Sequence, residues 1–175
     1  MENLDEAAQR VRSGDAAAFG RIVEATSGRL VRLAARMLGN VVDAEDVVQE
    51  AYVKAYRALT SGEFDGRANV STWLYRIVTN QAIDAMRGRA RRPKPTDTAD
   101  ESISDLASAE QQMALAELHD FMSELPPDQR AALVLKSVEG MTSPEIAEVL
   151  QCSEGAVEQR LVRARAALRK RSEGQ

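Results

Sequence analysis

The chain has one cysteine, Cys152, and one histidine, His119, among 175 residues. A lone thiol closes no internal disulfide, which fits a reducing cytoplasm. No second Cys and no His lies near Cys152 in sequence, so metal binding and thiol chemistry have no ligand set to work with. His119 falls on a predicted core-side helix and reads as structural. Catalytic residues, metals and cofactors are therefore not expected, and the chain does not read as an enzyme. Aromatic residues are only 4%, and abundant Ala, Leu, Val, Arg and Glu favour helix over sheet. No run approaches the roughly 18–20 apolar residues that span a bilayer. The opening MENLDEAAQR is acidic and polar, unlike a signal peptide. Direct membrane insertion is not expected.

What is present is charge, unevenly placed. The net charge is −4, which by itself argues against a nucleic-acid partner. The distribution says otherwise. Arg87, Arg89, Arg91, Arg92 and Lys94 follow one another with no acid between them. Arg160, Arg163, Arg165, Arg169, Lys170 and Arg171 do the same. Between Pro95 and Gln129 there are carboxylates but no Lys or Arg. Two basic poles flank an acidic middle.

Hydrophobic spacing and turn residues predict an all-α fold of two small helical domains joined by a flexible linker. The first domain covers 1–92, the acidic linker 93–108 and the second domain 109–175. Short helices are expected over Asp5–Ser13 and Asp15–Thr26, broken at Gly14. Leu30–Leu38 continues the pattern to a Gly39-Asn40 stop. A helix with acids in its first turn starts at Asp43 and runs to about Leu59. A glycine-containing loop, Ser61–Asn69, precedes a long helix from Val70 or Ser71 to about Arg91, where Pro93 and Pro95 forbid continuation. The linker spans roughly 50–55 Å if extended, which leaves the free domains loosely related. The second domain is expected to hold helices over Ala109–Glu124, Asp128–Val138, Ser143–Leu150 and Glu154–Arg171, with Pro126-Pro127 as a stop and start.

Thr142-Ser143-Pro144-Glu145 fits a capping box, and Ser153 suits an N-cap. The turn between these helices is only Gln151-Cys152-Ser153, which predicts the sharp crossing of a helix-turn-helix. Such a motif places the start of its second helix in the major groove. The residues offered there are Ser153, Glu154, Ala156, Glu158, Gln159 and Arg160, with Arg163 and Arg165 where phosphates would run. The alternative is two bundle helices with a solvated basic end.

In the long helix Trp73, Arg76, Asn80, Asp84 and Arg87 share one side, with Arg91 beyond them. Donors and acceptors beside an aromatic suit unpaired bases. Trp73 is equally a core residue, and Arg76–Asn80–Asp84 equally a ladder supporting the helix. Asp43, Glu45, Asp46, Gln49 and Glu50 form an acidic ridge; such a face is usually just solvated, but beside a nucleic-acid-binding surface, which it would repel, its better use is docking on a basic protein surface.

These motifs, in this order, resemble the extracytoplasmic-function (ECF) sigma factors, the small two-domain group of the sigma-70 family. Asp43-Ala44-Glu45-Asp46 with Gln49-Glu50, Tyr52, Lys54 and Arg57-Ala58 is similar to the segment that docks on the β′ clamp helices of core RNA polymerase. Trp73-Leu74, Arg76-Ile77, Asn80, Asp84 and Arg87 resemble the segment that melts and reads the −10 element. Leu125-Pro126, Arg130, Glu139-Gly140, Glu145-Ile146-Ala147-Glu148 and Arg160–Arg165 resemble the domain that reads duplex DNA at the −35 element. By the same likeness Phe64 walls a pocket for a flipped base, and the linker threads a basic channel of the polymerase. The resemblance also implies an anti-sigma factor as partner. Two positions depart from the pattern. Leu150-Gln151 replaces the usual Leu-Gly, so a non-glycine must take the turn. Gly155-Ala156-Val157 replaces Gly-Thr-Val, which removes a hydroxyl. A conventional helix-turn-helix regulator, binding duplex DNA without polymerase, is the alternative; it would need a dimer and a palindromic site, and no dimerisation heptad is present.

Overall fold

The computed structural model describes residues 3–90 and 120–173, and among these every regular element is a helix. The elements are α1 (Leu4–Arg12), α2 (Ala17–Leu38), α3 (Val41–Ser61), α4 (Val70–Ala90), α5 (Pro127–Ser137), α6 (Ser143–Leu150) and α7 (Glu154–Glu173). Residues 120–124 are also helical. The expected linker, His119, Arg91 and most of the expected Ala109–Glu124 helix lie outside the described residues.

The first four helices pack around Ile22, Leu30, Leu33, Met37, Leu59 and Leu74, all at most 1% exposed. Burial of side chains of this size contributes about 1.5–3 kcal/mol each. The expected Asp15–Thr26 and Leu30–Leu38 segments join in one helix: α2 runs unbroken from Ala17 to Leu38, through Ser27-Gly28. Glycine inside a helix costs about 1 kcal/mol, but buried Thr26 and Leu30 on either side hold the turn in place. The Thr26 hydroxyl donates to the Ile22 carbonyl and meets the Tyr52 hydroxyl at 2.6 Å, which ties α2 to α3. The Gly39-Asn40 stop forms as expected. Gly39 is left-handed at φ 72°, and the Asn40 side chain accepts from the Asp43 amide at 3.0 Å to open α3.

The start of α4 is fixed from a distance. Asn69 accepts from the Thr72 amide at 2.7 Å, and Asp5 of α1 accepts from the Val70 amide at 2.8 Å. A carboxylate at a helix N-terminus satisfies an orphan donor and opposes the dipole.

In the second domain Pro126-Pro127 starts α5 as predicted, with Pro127 in its first turn. Ile146, Val149, Val157 and Leu161 form its buried centre.

The expectation of loosely related domains is not met. α6 packs on α4, and α5 packs on both α2 and α4. Arg130 of α5, 7% exposed, donates to the Met37 carbonyl at 2.8 Å. The Tyr75 hydroxyl donates to Glu139 at 2.6 Å. A linker's length sets the reach of its ends but does not prevent apolar faces from meeting.

Candidate nucleic-acid and protein interfaces

The acidic ridge lies on α3. Glu45, Asp46, Gln49 and Glu50 are exposed, while Asp43 is half-buried and paired with Arg89 of α4. Glu50 accepts from the Gln81 side chain at 3.2 Å. Asp43, Asp46 and Glu50 are spaced three and four apart, so they share the flank nearest α4. Glu45 and Gln49 lie on the other flank, at the rim of an apolar groove of about 480 Å³ between α2 and α3. Phe19, Val23, Val48, Tyr52 and Val53 are among its lining residues. Sequence reasoning missed this groove. The available signal was Val53, an apolar residue on the outward side of a charged helix and 46% exposed.

The residues expected at the −10 element, Arg91 apart, lie on α4 and the loop before it. Trp73 and Phe64 are buried, at 5% and 7% exposure. Their ring centroids are 4.4 Å apart with planes tilted by 40°. Trp73 is thus a core residue in this conformation, and its indole is not laid open as a stacking platform. Phe64 does wall a cleft, of about 370 Å³, together with Trp73, Arg67, Ala68, Arg76 and Glu148 of α6. Gly62 and Gly66, both at positive φ, bend the loop around it. Arg76 and Asn80 are half-buried and Asp84 and Arg87 exposed. The Arg87 guanidinium lies 3.7 Å from Asp84 and 3.1 Å from Asp128 of the second domain.

The helix-turn-helix forms as predicted. Glu145 accepts from the amide and hydroxyl of Thr142, both at 2.7 Å. These bonds hold the Glu145 carboxyl below the usual glutamate range. Ionised Glu145 therefore stabilises α6 fully above about pH 4.5, the unperturbed value, and less as pH falls below it. Glu145→Gln should flatten that acid limb in a series of melting curves; a profile superimposable on the native one would show that the box contributes nothing.

Gln151 carries the strain predicted for it. At φ 50° and ψ 49° it is the one non-glycine residue at positive φ among those described. A side chain in this region costs roughly 1 kcal/mol. Gln151→Gly should raise the melting temperature by a few degrees, corresponding to about 1 kcal/mol; a lower melting temperature would show that the Gln side chain contributes more than its backbone loses.

Ser153 caps α7, accepting from the Ala156 amide at 3.2 Å. Glu154, Glu158, Gln159, Arg163 and Arg165 are exposed, and Ala156 and Arg160 half-buried. Two of the candidate readers are already oriented by neighbours. Glu158 accepts from the Ser143 hydroxyl, and Arg160 approaches the Cys152 sulfur at 3.2 Å. Neither tether was legible, because each depends on the crossing of α6 and α7. Among the described residues no group of His, Cys, Asp and Glu is arranged to hold a metal ion, and no helix is long and apolar enough to cross a membrane.

Comparison with known proteins agrees with this geometry. Residues 22–92 match the family described as Sigma-70 region 2, and residues 115–168 match Sigma-70, region 4. The chain is 37% identical to the RNA polymerase sigma-H factor of Pseudomonas aeruginosa, over 97% of this chain and 94% of that one. It is 36% identical to the ECF RNA polymerase sigma factor SigW of Bacillus subtilis, over 93% and 92%. Among solved structures, CnrH in complex with the cytosolic domain of CnrY matches with a TM-score of 0.70 and 32% identity, over 98% of this chain and 97% of that one. A region 2 helical bundle followed by a region 4 helix-turn-helix, matched to such relatives over nearly the whole chain, places this protein in the sigma-70 family, among its ECF RNA polymerase sigma factors.

Proposed function

We propose that three surfaces divide the work of promoter-directed initiation between them. The acidic ridge of Asp43, Glu45, Asp46, Gln49 and Glu50 docks on the β′ clamp helices of core RNA polymerase. The second domain, from about residue 109, grips the duplex −35 element through Ser153, Glu154, Ala156, Glu158, Gln159 and Arg160, with Arg163 and Arg165 on phosphates. The first domain, residues 1–92, captures unpaired −10 bases. Arg76, Asn80, Asp84, Arg87 and Arg91 supply the polar contacts, and Phe64 and Trp73 wall the cleft for a flipped base. Binding to unpaired bases draws the closed–open equilibrium toward the melted state. No side chain needs to make or break a bond, so the factor is not an enzyme, and it works in the cytoplasm where the polymerase is.

The observation that carries this is the pairing of two unlike faces in one chain. A carboxylate ridge that would repel DNA stands one helix away from an arginine-bearing helix that would attract it. A second partner is an anti-sigma factor, supported by the resemblance to CnrH, which was solved with the cytosolic domain of another protein. Run-off transcription by purified core polymerase, with and without this chain, is the test. Product should depend on both the chain and a promoter it recognises. No product from any such template, with a folded sample, overturns the assignment.

A further inference from the structure

We infer that α1 belongs to the −10 reader: Asp5 is a positioning residue that fixes, from behind, the Phe64 loop walling the cleft for a flipped base. This rests on the −10 assignment above and adds to it the group that holds the wall in place.

The wall is the loop of residues 62–69 between α3 and α4. Its entry is tied down where the Phe64 amide donates to the Ala58 carbonyl at 3.1 Å. Its tip folds on itself, with Asp65 accepting from the Arg67 amide at 3.0 Å. Behind it, on the α1 side, lies a second space of about 310 Å³. Phe64 and Ala68 line this space and also the cleft that holds Trp73 and Arg76. The loop is thus a partition with room on both faces. Packing fixes a side chain when neighbouring atoms press on it from every side. A partition with space behind it is held by its ends instead.

The exit end is where α1 acts. Asn69 caps α4: its side chain accepts from the Thr72 amide at 2.7 Å, and its carbonyl accepts from the Trp73 amide at 3.0 Å. That leaves the Val70 amide, the first of the orphan donors of the helix, in a residue 1% exposed. The half-buried Asp5 carboxylate accepts it at 2.8 Å. One bond therefore ties α1 to the point where the Phe64 loop ends and the turn carrying Trp73 begins.

Asp5 is not needed to cap its own helix, because Asn3 and Glu6 already close a capping box there. The whole helix is set to back the loop. Asp5, Ala8, Gln9 and Arg12 share one side of α1 by their spacing, and all four line the space behind the loop. Ala7 and Val11, on the other side, are buried in the bundle. The Arg12 guanidinium comes within 3.9 Å of where a Cβ would stand on Gly66, at a left-handed point of the loop. A recognition site keeps its geometry when groups that never touch the ligand hold those that do, and Asp5 stands in that relation to Phe64 and Trp73.

The test is a cycle between Asp5 and the bases, run on the holoenzyme. The probe is a short labelled single strand with the −10 sequence of a promoter the holoenzyme transcribes, intact or with an abasic residue at each position in turn. The native holoenzyme should lose most affinity when one particular base, the one in the cleft, is missing. In Asp5→Ala that loss should shrink by about fivefold, the effect of one ordinary hydrogen bond. Losses at the other positions, and affinity for core polymerase, should stay as they were. Asp5→Asn keeps the acceptor and should restore the native pattern. A merely structural Asp5 would lower the melting temperature and leave the abasic profile, read well below it, unmoved. If Asp5→Ala melts too early, adding Val70→Pro removes the orphan donor at a helix position that suits proline; stability should return and the flattened profile persist. A native profile in either alanine variant, or an Asp5→Asn that behaves like alanine, overturns the inference. A native holoenzyme indifferent to every missing base sinks the −10 assignment and the inference with it, so the two failures are told apart.

Discussion

Asp46→Arg is expected to leave the fold intact and weaken binding to core polymerase by about 30-fold or more. Asp46 is exposed on α3, one turn from Asp43 and one turn from Glu50, so no core contact is disturbed. Surface substitutions of this kind change stability by less than about 0.5 kcal/mol. The electrostatic change is much larger. Two unit charges 4 Å apart interact by about 1 kcal/mol in water and about 4 kcal/mol near a protein surface. Reversal turns an attraction into a repulsion, so a loss of about 2 kcal/mol is a low expectation, and 1.4 kcal/mol is tenfold in affinity. The defect should shrink as salt is raised. Glu24→Arg, the same charge change at an exposed position on α2, should not reproduce the loss. Titration of labelled core polymerase with both variants decides it. An Asp46→Arg affinity within threefold of native removes the ridge from the polymerase interface.

The parts of the structure that were legible in the sequence are those set by neighbouring residues. Gly39-Asn40 ends one helix and begins another because glycine tolerates positive φ and asparagine caps. Thr142 and Glu145 close their box within one turn. Gln151 stands where the resemblance puts the glycine of the turn, and it is left-handed. The parts that were not legible depend on distant partners. The cap that Asp5 places on Val70 crosses 65 positions, and neither residue signals the other. The helix through Gly28 persists because of what Thr26 and Leu30 touch, which local propensity does not record. The domain interface is built from groups with ordinary local explanations. Arg130 looks like a surface cation, Tyr75 like a core aromatic and Glu139 like a loop acid. Trp73 illustrates the same limit: its helical spacing put it on the side expected to face DNA, but its packing against Phe64 is a tertiary fact.

Leu161→Ala should abolish upstream duplex binding while sparing the first domain. Leu161 is 1% exposed, and Val157, Leu161 and Ala164 form the buried stripe of α7 at helical spacing. Removing a buried leucine to alanine costs about 2–5 kcal/mol, the larger values arising where the cavity cannot collapse. Ile146 and Val149, fully buried on the facing helix, are held in place by the short Gln151 turn and have little freedom to fill it. At roughly 0.05–0.15 kcal/mol per residue, the region over 115–168 holds about 3–8 kcal/mol, so one substitution removes most of it. α7, which carries Leu161, packs mainly on α5 and α6, so the loss falls first on the second domain. Heating should therefore show an early transition for the second domain and a retained later one for the first. Polymerase affinity should stay within a few-fold of native, because the ridge on α3 is intact. Leu161→Met, which keeps the volume and costs less than about 1.5 kcal/mol, should keep duplex binding. If Leu161→Ala melts as one native-like unit and still protects upstream duplex DNA in a footprint, then α7 is not held by this packing, and its basic face is positioned by something other than the helix-turn-helix core.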